Sequence, residues 1–362
     1  MRVLQVIDGL FVGGAERLLT GLCSILKSSG IAVEVYALRG GGPLEADLRN
    51  AGIPVHTGGG GSVYTPLHVV RLARFMKSRH FDIIHVHLYP AQLWVCLAAR
   101  LAGCETPLVT TEHSTQNRRR TWLFRRLERW MFRQFAAVVA ISEATRLALI
   151  DHVGNDLRSL SVVLNGIDQR QFGSLAPRAS DVKILDPVML TVGSLTTVKD
   201  QATAIRALAL METGRLIIVG DGPLRGDLET LAHQLGIRDR VQFLGIRFDI
   251  PQLIAAADIY VQTARWEGFC LAVVEAMSGG LPCVVSRVPA LQEVIGQAGL
   301  FFEAGNAEQL ATAIRWLCDN RDDRAALVAR SVEQAKQFSL AACCTGYETL
   351  YKAVAGVTEN TV

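Results

Sequence analysis

A chain of 362 residues, half of them apolar and one fifth charged, is too long for one ordinary core and has the composition of folded domains, which excludes a disordered protein. The net charge of +3 is too small to imply nucleic acid by itself, but it is unevenly spread, with 19 basic against 12 acidic residues up to position 165 and 18 against 22 beyond it. A basic first half joined to an acidic second half points to an anionic partner for the first.

In chain order, the opening MRVLQVIDGL reads as a strand rather than a secretory leader, because its apolar run is short and no cleavage pattern follows. RVLQVID, VEVYAL, DIIHVH, LVTTEH and AVVAISE read as buried strands, each followed by a segment of helical period. That is the pattern of βαβ units around a parallel sheet. A second series, VMLTVGS, RLIIVGDG, VQFLG, DIYVQT and PCVVS, starts beyond residue 165. The expected fold class is α/β, with two Rossmann-like, doubly wound parallel-sheet domains at 1–165 and 166–339. The polar stretch Val162–Asp181, which carries Gly and Pro, contains the join. A last helical segment, Leu340–Val354, fits against either domain.

The eight cysteines show neither C-x-x-C nor metal-ligand spacing and sit mostly in apolar segments. Free thiols in a reducing cytoplasm are expected, with no metal site. No run approaches the roughly 20 apolar residues of a membrane-spanning helix.

Ligands of open α/β sheets gather beyond the carboxyl ends of the strands, so the loops there hold the candidates. Gly13 and Gly14 in DGLFVGGAERLL open a helix. A tight turn accounts for the pair, and so does close approach of an anion to a helix N-terminus. The full G-x-G-x-x-G pattern is missing, which disfavours a nicotinamide enzyme. In the second series the polar loops are GSLTTVK from Gly193, GDGPLR from Gly220, FLG from Phe243 and WEGFCLAVVEAMSGGLP from Trp266. Lys199, just before a helical segment, reads either as a point charge for phosphate or as a solvated lysine. Gly268 removes a side chain where a helix is expected to begin, which would free N–H groups at Gly268, Phe269 and Cys270 for an anion. Glu267 then accepts hydrogen bonds from hydroxyls, and Glu275, eight positions on, faces another part of the ligand. A nucleotide sugar has that layout of hydroxyls, diphosphate and hydroxyls; solvent-facing salt bridges are the plainer alternative.

GGAER, TEHS, ISE, LNGID, VGSLTTVKD, VGDGPLR, FLG and WEGFCLAVVEAMSGGLP, in order over nearly the whole chain, resemble the retaining glycosyltransferases of family 4, which have the GT-B fold. The resemblance implies two Rossmann-like domains facing across a cleft, the donor mainly on the second and the acceptor mainly on the first. It also implies a C-terminal helix, about 340–362, that crosses back to the first. Position by position, it implies Glu267 for the donor-sugar hydroxyls, Glu275 for the ribose, Lys199 for the diphosphate, and the Gly14 backbone beside it. Phe269, Cys270 and Leu271 fall where main-chain N–H groups meet phosphates or sugar, with Gly268 in the same turn. Gly220, Asp221 and Leu244 fall where the base is recognised. His113 reaches the donor sugar near the reacting carbon, whereas His85 and His87 read as structural. One position departs from the family: Ser194 stands where an arginine is usual, with Arg17 and Arg265 as candidate substitutes.

The implied reaction moves a hexosyl unit from a UDP- or GDP-linked sugar to a hydroxyl with retention, without metal or cofactor. For the acceptor, NRRRTWLFRRLERWMFRQF from Asn117 to Phe135 is informative. As a helix it places Arg125, Arg126, Arg129 and Arg133 in one arc, opposite Leu123, Leu127, Trp130 and Met131. Such a basic amphipathic helix with tryptophan reads as a membrane-surface element, or else as an ordinary packed helix. On the first reading the partners are an anionic membrane surface and a lipid-linked sugar, for an exopolysaccharide or O-antigen-like glycan. The protein is then cytoplasmic and peripheral at the inner face of the membrane. No nucleic-acid motif accompanies the arginines. The rival readings are a nucleotide-sugar 2-epimerase and a catalytically silent nucleotide-sugar-binding subunit. Ser194 alone favours the silent subunit.

Overall fold

In the computed structural model, which describes residues 1–115, 122–155, 157–172 and 186–356, the first series of apolar runs forms a seven-stranded sheet. Its strands are β1 (Arg2–Gly9), β2 (Ala32–Arg39), β3 (Val55–Thr57), β4 (Ile83–His87), β5 (Leu108–Glu112), β6 (Ala137–Ala140) and β7 (Leu160–Val162). They lie in the order β3-β2-β1-β4-β5-β6-β7, each pair parallel. Helices α1 (Gly14–Ser28), α2 (Leu44–Asn50), α3 (Leu67–Lys77), α4 (Ala91–Ala102), α5 (Trp122–Phe132) and α6 (Glu143–Val153) make the connections. Both faces are covered, so β4 and β6 are buried along their whole length. Alternation along β1 sends Val3 and Ile7 into one apolar cluster and Leu4 and Val6 into the other.

The second series forms a six-stranded parallel sheet of β8 (Val188–Val192), β9 (Arg215–Val219), β10 (Val241–Gly245), β11 (Ile259–Gln262), β12 (Cys283–Ser286) and β13 (Leu300–Phe302). The order β10-β9-β8-β11-β12-β13 repeats the winding of the first sheet. Its helices are α7 (Gln201–Ala209), α8 (Arg225–Gln234), α9 (Ile250–Ala256), α10 (Leu271–Ser278), α11 (Pro289–Ile295), α12 (Ala307–Asp319) and α13 (Arg321–Ala335). In each sheet the order reverses beside the first strand, between β1 and β4 and between β8 and β11, and a ligand crevice opens at such a reversal.

All the apolar runs read from the sequence are strands, and three more appear: β3, β7 and β13. Each is three residues long and lies at or next to a sheet edge, too short to carry an alternation that periodicity could detect.

The chain divides into two compact units, Met1–Gly166 with Leu340–Val362, and Ile167–Ser339. Of the expected join, residues 173–181 lie outside the described part. Helix α14 (Leu340–Val354) belongs to the first unit and packs on α1. Gly21 permits that approach, since a Cβ there would come within 2.6 Å of the Leu340 side chain. Among the described residues no helix is long and apolar enough to cross a membrane. No disulfide joins any of the eight cysteines, and all but Cys104 and Cys318 are buried.

Candidate active site

The carboxyl ends of β8 and β11, at the order reversal of the second sheet, carry two loops that are stitched together. Thr263 Oγ1 donates to the Lys199 carbonyl at 2.8 Å, and the Arg265 N–H donates to the Val198 carbonyl at 2.8 Å. This brings the Lys199 ammonium onto the Glu267 carboxylate as an ion pair, with side chains 22% and 9% exposed. Gln262, at the last position of β11, donates its amide N–H to the same Glu267 oxygen at 2.8 Å. The Gln262 oxygen in turn accepts from the buried Tyr260 hydroxyl at 3.2 Å. Burial works against the Lys199 ammonium, but the adjacent Glu267 carboxylate outweighs it and holds the pKa above the ordinary lysine value. A fixed positive charge therefore stands at the reversal.

The helix after Glu267 begins later than its sequence suggests. Helix α10 starts at Leu271, not at Gly268. The Phe269 side chain is buried, its ring edge-on to Phe338 at 5.3 Å, and this draws the turn into the core before the helix can start. Gly268 is already engaged within the protein. Cys270 precedes the helix in the left-handed region, with φ 80°, a conformation that costs a non-glycine residue of order 1 kcal/mol or more. The Val273 N–H returns to the Cys270 carbonyl at 3.2 Å. The N–H groups of Leu271 and Ala272 are left without an acceptor inside the helix, as at any helix N-terminus. Burial, reinforced by the Glu267 carboxylate, raises the Cys270 pKa and keeps it a neutral thiol. Glu275 is buried in the second turn of α10.

Neighbouring loops close around the same end of the sheet. The Gly193 N–H donates to the Val219 carbonyl at 2.9 Å and the Gly220 N–H to the Gly245 carbonyl at 2.8 Å. Gly220 has φ 126°, and a Cβ there would lie 2.1 Å from the Gly193 oxygen, so this position requires glycine. Asp221 turns its carboxylate back onto the Gly222 N–H at 2.8 Å. Leu244 is half-buried in β10. Ser194 is exposed, and its carbonyl accepts from the Gln201 amide at 3.1 Å. Arg265, one candidate to replace the missing arginine, is instead paired with Asp200 at 3.0 Å; Arg17 lies in α1 of the first unit.

In the first unit, Gly14 is the first residue of α1, directly beyond β1. His113 follows β5, and its Nε2 lies 3.1 Å from His87 Nδ1. His87 Nε2 lies 2.8 Å from the Gln5 amide oxygen in the core of the sheet. His85 and His87, read from the sequence as structural, are fully buried; His87 bonds directly to His113, and His85 bonds to Tyr351 and Thr111. Gln5, Tyr260, Gln262 and Tyr351 were not among the residues singled out. For Gln5, Tyr260 and Gln262 the signal was present, a polar residue inside an otherwise apolar central strand, as in RVLQVID and DIYVQT; Tyr351 lies in α14.

Helix α5 corrects the arginine arc. Arg125 donates to the Asp151 and His152 carbonyls at 3.2 Å, and Arg129 to the Val153 carbonyl at 3.0 Å, so both satisfy the carbonyl end of α6. Arg133 is engaged as well. Arg126 lies over the Trp122 ring at 5.3 Å. Leu123 does not join Leu127, Trp130 and Met131 on the packed side; it is 63% exposed, beside Trp122 at 68% and the exposed Phe124. Residues 117–121 of this stretch lie outside the described part.

Two Rossmann-like parallel sheets of the same winding, with polar side chains gathered at the reversal of each, are the architecture of GT-B glycosyltransferases. HepE from Anabaena, solved with UDP and glucose, matches with a TM-score of 0.86 and 25% identity over 98% of this chain and 100% of that one. The model described as Glycosyltransferase Family 4 matches residues 12–171, and the one described as Glycosyl transferases group 1 matches residues 178–334. The chain belongs to the group 1/family 4 glycosyltransferases. Among relatives, the UDP-Gal:alpha-D-GlcNAc-diphosphoundecaprenol alpha-1,3-galactosyltransferase of Escherichia coli is 29% identical over 61% of each chain, so the match spans about three fifths of that protein. The N-acetyl-alpha-D-glucosaminyl L-malate synthase of Bacillus anthracis is 27% identical over 78% of this chain and 77% of its own.

Proposed function

We propose that this glycosyltransferase moves a hexosyl unit from a UDP- or GDP-linked sugar to a hydroxyl acceptor, with retention and without a divalent metal. The observation that carries the reading is the Lys199–Glu267 pair, braced by Gln262 beside the N-terminus of α10. As the anomeric C–O bond breaks, positive charge develops on the sugar and negative charge on the departing diphosphate. Lys199 and the first N–H groups of α10 suit that developing anion, the task a metal ion performs in other sites. Glu267 accepts from sugar hydroxyls and Glu275 from the ribose. The Gly220, Asp221 and Leu244 loops border the base, and His113 and Gly14 contribute from the first unit. In same-face attack the acceptor oxygen bonds to the anomeric carbon while its proton passes to the leaving phosphate oxygen.

The acceptor we propose is a lipid-linked sugar in exopolysaccharide or O-antigen-like synthesis, reached at an anionic membrane surface. The exposed Trp122–Phe124 tip of α5, with Arg126 beside it, suits insertion at such a surface. The Escherichia coli relative, whose name specifies a diphosphoundecaprenol-linked acceptor, supports this reading.

The test is thermal unfolding with a panel of UDP- and GDP-sugars in EDTA. One of them at a hundred times its Kd should stabilise the protein by about 2.7 kcal/mol. No shift with any nucleotide sugar would overturn the donor assignment; a shift that requires magnesium would overturn the metal-free reading.

A further inference from the structure

Three histidines, a glutamine, a threonine and two tyrosines form one continuous polar chain through the core of the first unit. From His113 it runs to His87 at 3.1 Å, to the Gln5 amide oxygen at 2.8 Å, and from the Gln5 amide nitrogen to Tyr351 Oη at 3.0 Å. It continues from Tyr351 Oη to His85 Nδ1 at 2.5 Å, from His85 Nε2 to Thr111 Oγ1 at 2.8 Å, and on to Tyr347 Oη at 2.9 Å. The strands supply Gln5, His85, His87 and Thr111, and α14 supplies both tyrosines. His85, His87 and both tyrosine side chains are fully buried, whereas His113 keeps part of its surface exposed.

Such a chain has a direction. A neutral imidazole has one N–H and one bare nitrogen, and the bond made by one nitrogen decides the state of the other. Burial disfavours the charged form at all three rings: it pushes His113 down to about 4 and His85 to about 3, and holds His87 well below its ordinary value. Gln5 sets the sense, because its oxygen faces His87 and its nitrogen faces Tyr351. His87 therefore carries its proton on Nε2, and its bare Nδ1 accepts from His113 Nε2–H. On the other side, Tyr351 accepts from Gln5 and donates to His85 Nδ1, and His85 Nε2–H donates to Thr111. Reversing His113 requires the Gln5 amide to turn over, and through the Tyr351 hydroxyl that turn would have to reverse His85 and Thr111 in the same step.

We propose that Tyr351, acting through Gln5 and His87, fixes His113 as the Nε2-protonated tautomer with Nδ1 bare, so that the last helix of the chain positions the site histidine. Its importance for turnover rests on the reading of His113 as a donor-site residue; the tautomer itself does not. Gln5, His87 and Tyr351 are positioning residues in this scheme, buried behind the imidazole that meets the ligand.

The experiment is 15N NMR of the histidine rings in the full chain at neutral pH, without ligand. Wild type should show His113 protonated at Nε2 and bare at Nδ1. Tyr351→Phe removes the group that holds the Gln5 nitrogen, and the single-tautomer signature of His113 should be lost. Tyr347→Phe deletes a hydroxyl from the same helix at the far end of the chain, where His85 still donates to Thr111, and it should keep the wild-type signature. A purely structural role for the tyrosines would not separate these two variants. A wild-type His113 protonated on Nδ1 or on both nitrogens, or a folded Tyr351→Phe with an unchanged His113, overturns the proposal. The wild-type spectrum decides even if Tyr351→Phe fails to fold, and Gln5→Leu breaks the same link from the strand side. Because the spectra need no donor, failure of the nucleotide-sugar panel leaves this result standing, and an unshifted tautomer leaves the donor assignment standing.

Discussion

Gln262 donates its amide N–H to Glu267 at 2.8 Å, on the oxygen that also receives the Lys199 ammonium. Glu267 lies in a loop, but Gln262 ends a central strand and is itself held by Tyr260. The loop carboxylate thus takes its position from the sheet, and a site supported from a rigid element keeps its geometry between turnovers.

Glu267→Gln should lower transfer by more than tenfold, equivalent to more than roughly 1.4 kcal/mol of barrier, with the fold intact by circular dichroism. Gln262→Leu leaves the carboxylate in place but unbraced, and kcat should fall about tenfold while KM for the donor changes little. A Glu267→Gln enzyme that keeps more than about a tenth of the rate would remove Glu267 from the proposed site.

Lys199→Met leaves the Glu267 carboxylate, 9% exposed, without its cation. Removing one partner of a buried pair costs about 3–5 kcal/mol, and the partial exposure of Lys199 lowers the expectation to about 2 kcal/mol. The double variant Lys199→Met/Glu267→Gln should recover most of the lost thermal stability and remain inactive. Recovery of activity along with stability would mean that the pair serves folding alone.

The buried histidines make the first unit acid-sensitive. His85, at about 3, and His113, at about 4, lie below the ordinary histidine value of 6.5, so between those limits the unfolded chain binds more protons than the folded one. Stability is therefore complete above pH 6.5 and falls as the pH drops toward 4, by up to ~1.4 kcal/mol per pH unit for each histidine. Thermal unfolding followed across this range should show that slope, and His85→Asn should flatten it. A flat profile in wild type would mean that the rings are charged in the folded protein.

The tip of α5 should bind membranes more than its arginine arc does. Replacing Trp122, Leu123 and Phe124 with serine should abolish co-sedimentation with anionic liposomes at low salt. Arg125→Gln with Arg129→Gln should mainly lower the melting temperature, because these side chains satisfy carbonyls at the end of α6. If wild type does not sediment, the exposed tip has another purpose and the lipid-linked acceptor loses its structural support.

Local patterning alone determined the two series of strands, the restart of the series beyond residue 165, and the polar loops at their carboxyl ends, because alternation, burial and glycine placement are properties of a few neighbouring residues. The edge strands β3, β7 and β13 were too short to leave such a pattern. On α5, which side meets α6 depended on a neighbour that helical geometry cannot name: Arg125 and Arg129 turn to the carbonyl end of α6, and Leu123 lies exposed. The pairings at the candidate site came only from the tertiary structure. Lys199 and Glu267 are 68 positions apart, and Gln5 and Tyr351 are 346 apart. A polar residue inside an apolar strand announces that it needs a partner. Which partner it finds is decided by the winding of the sheet and by the helix that returns to it.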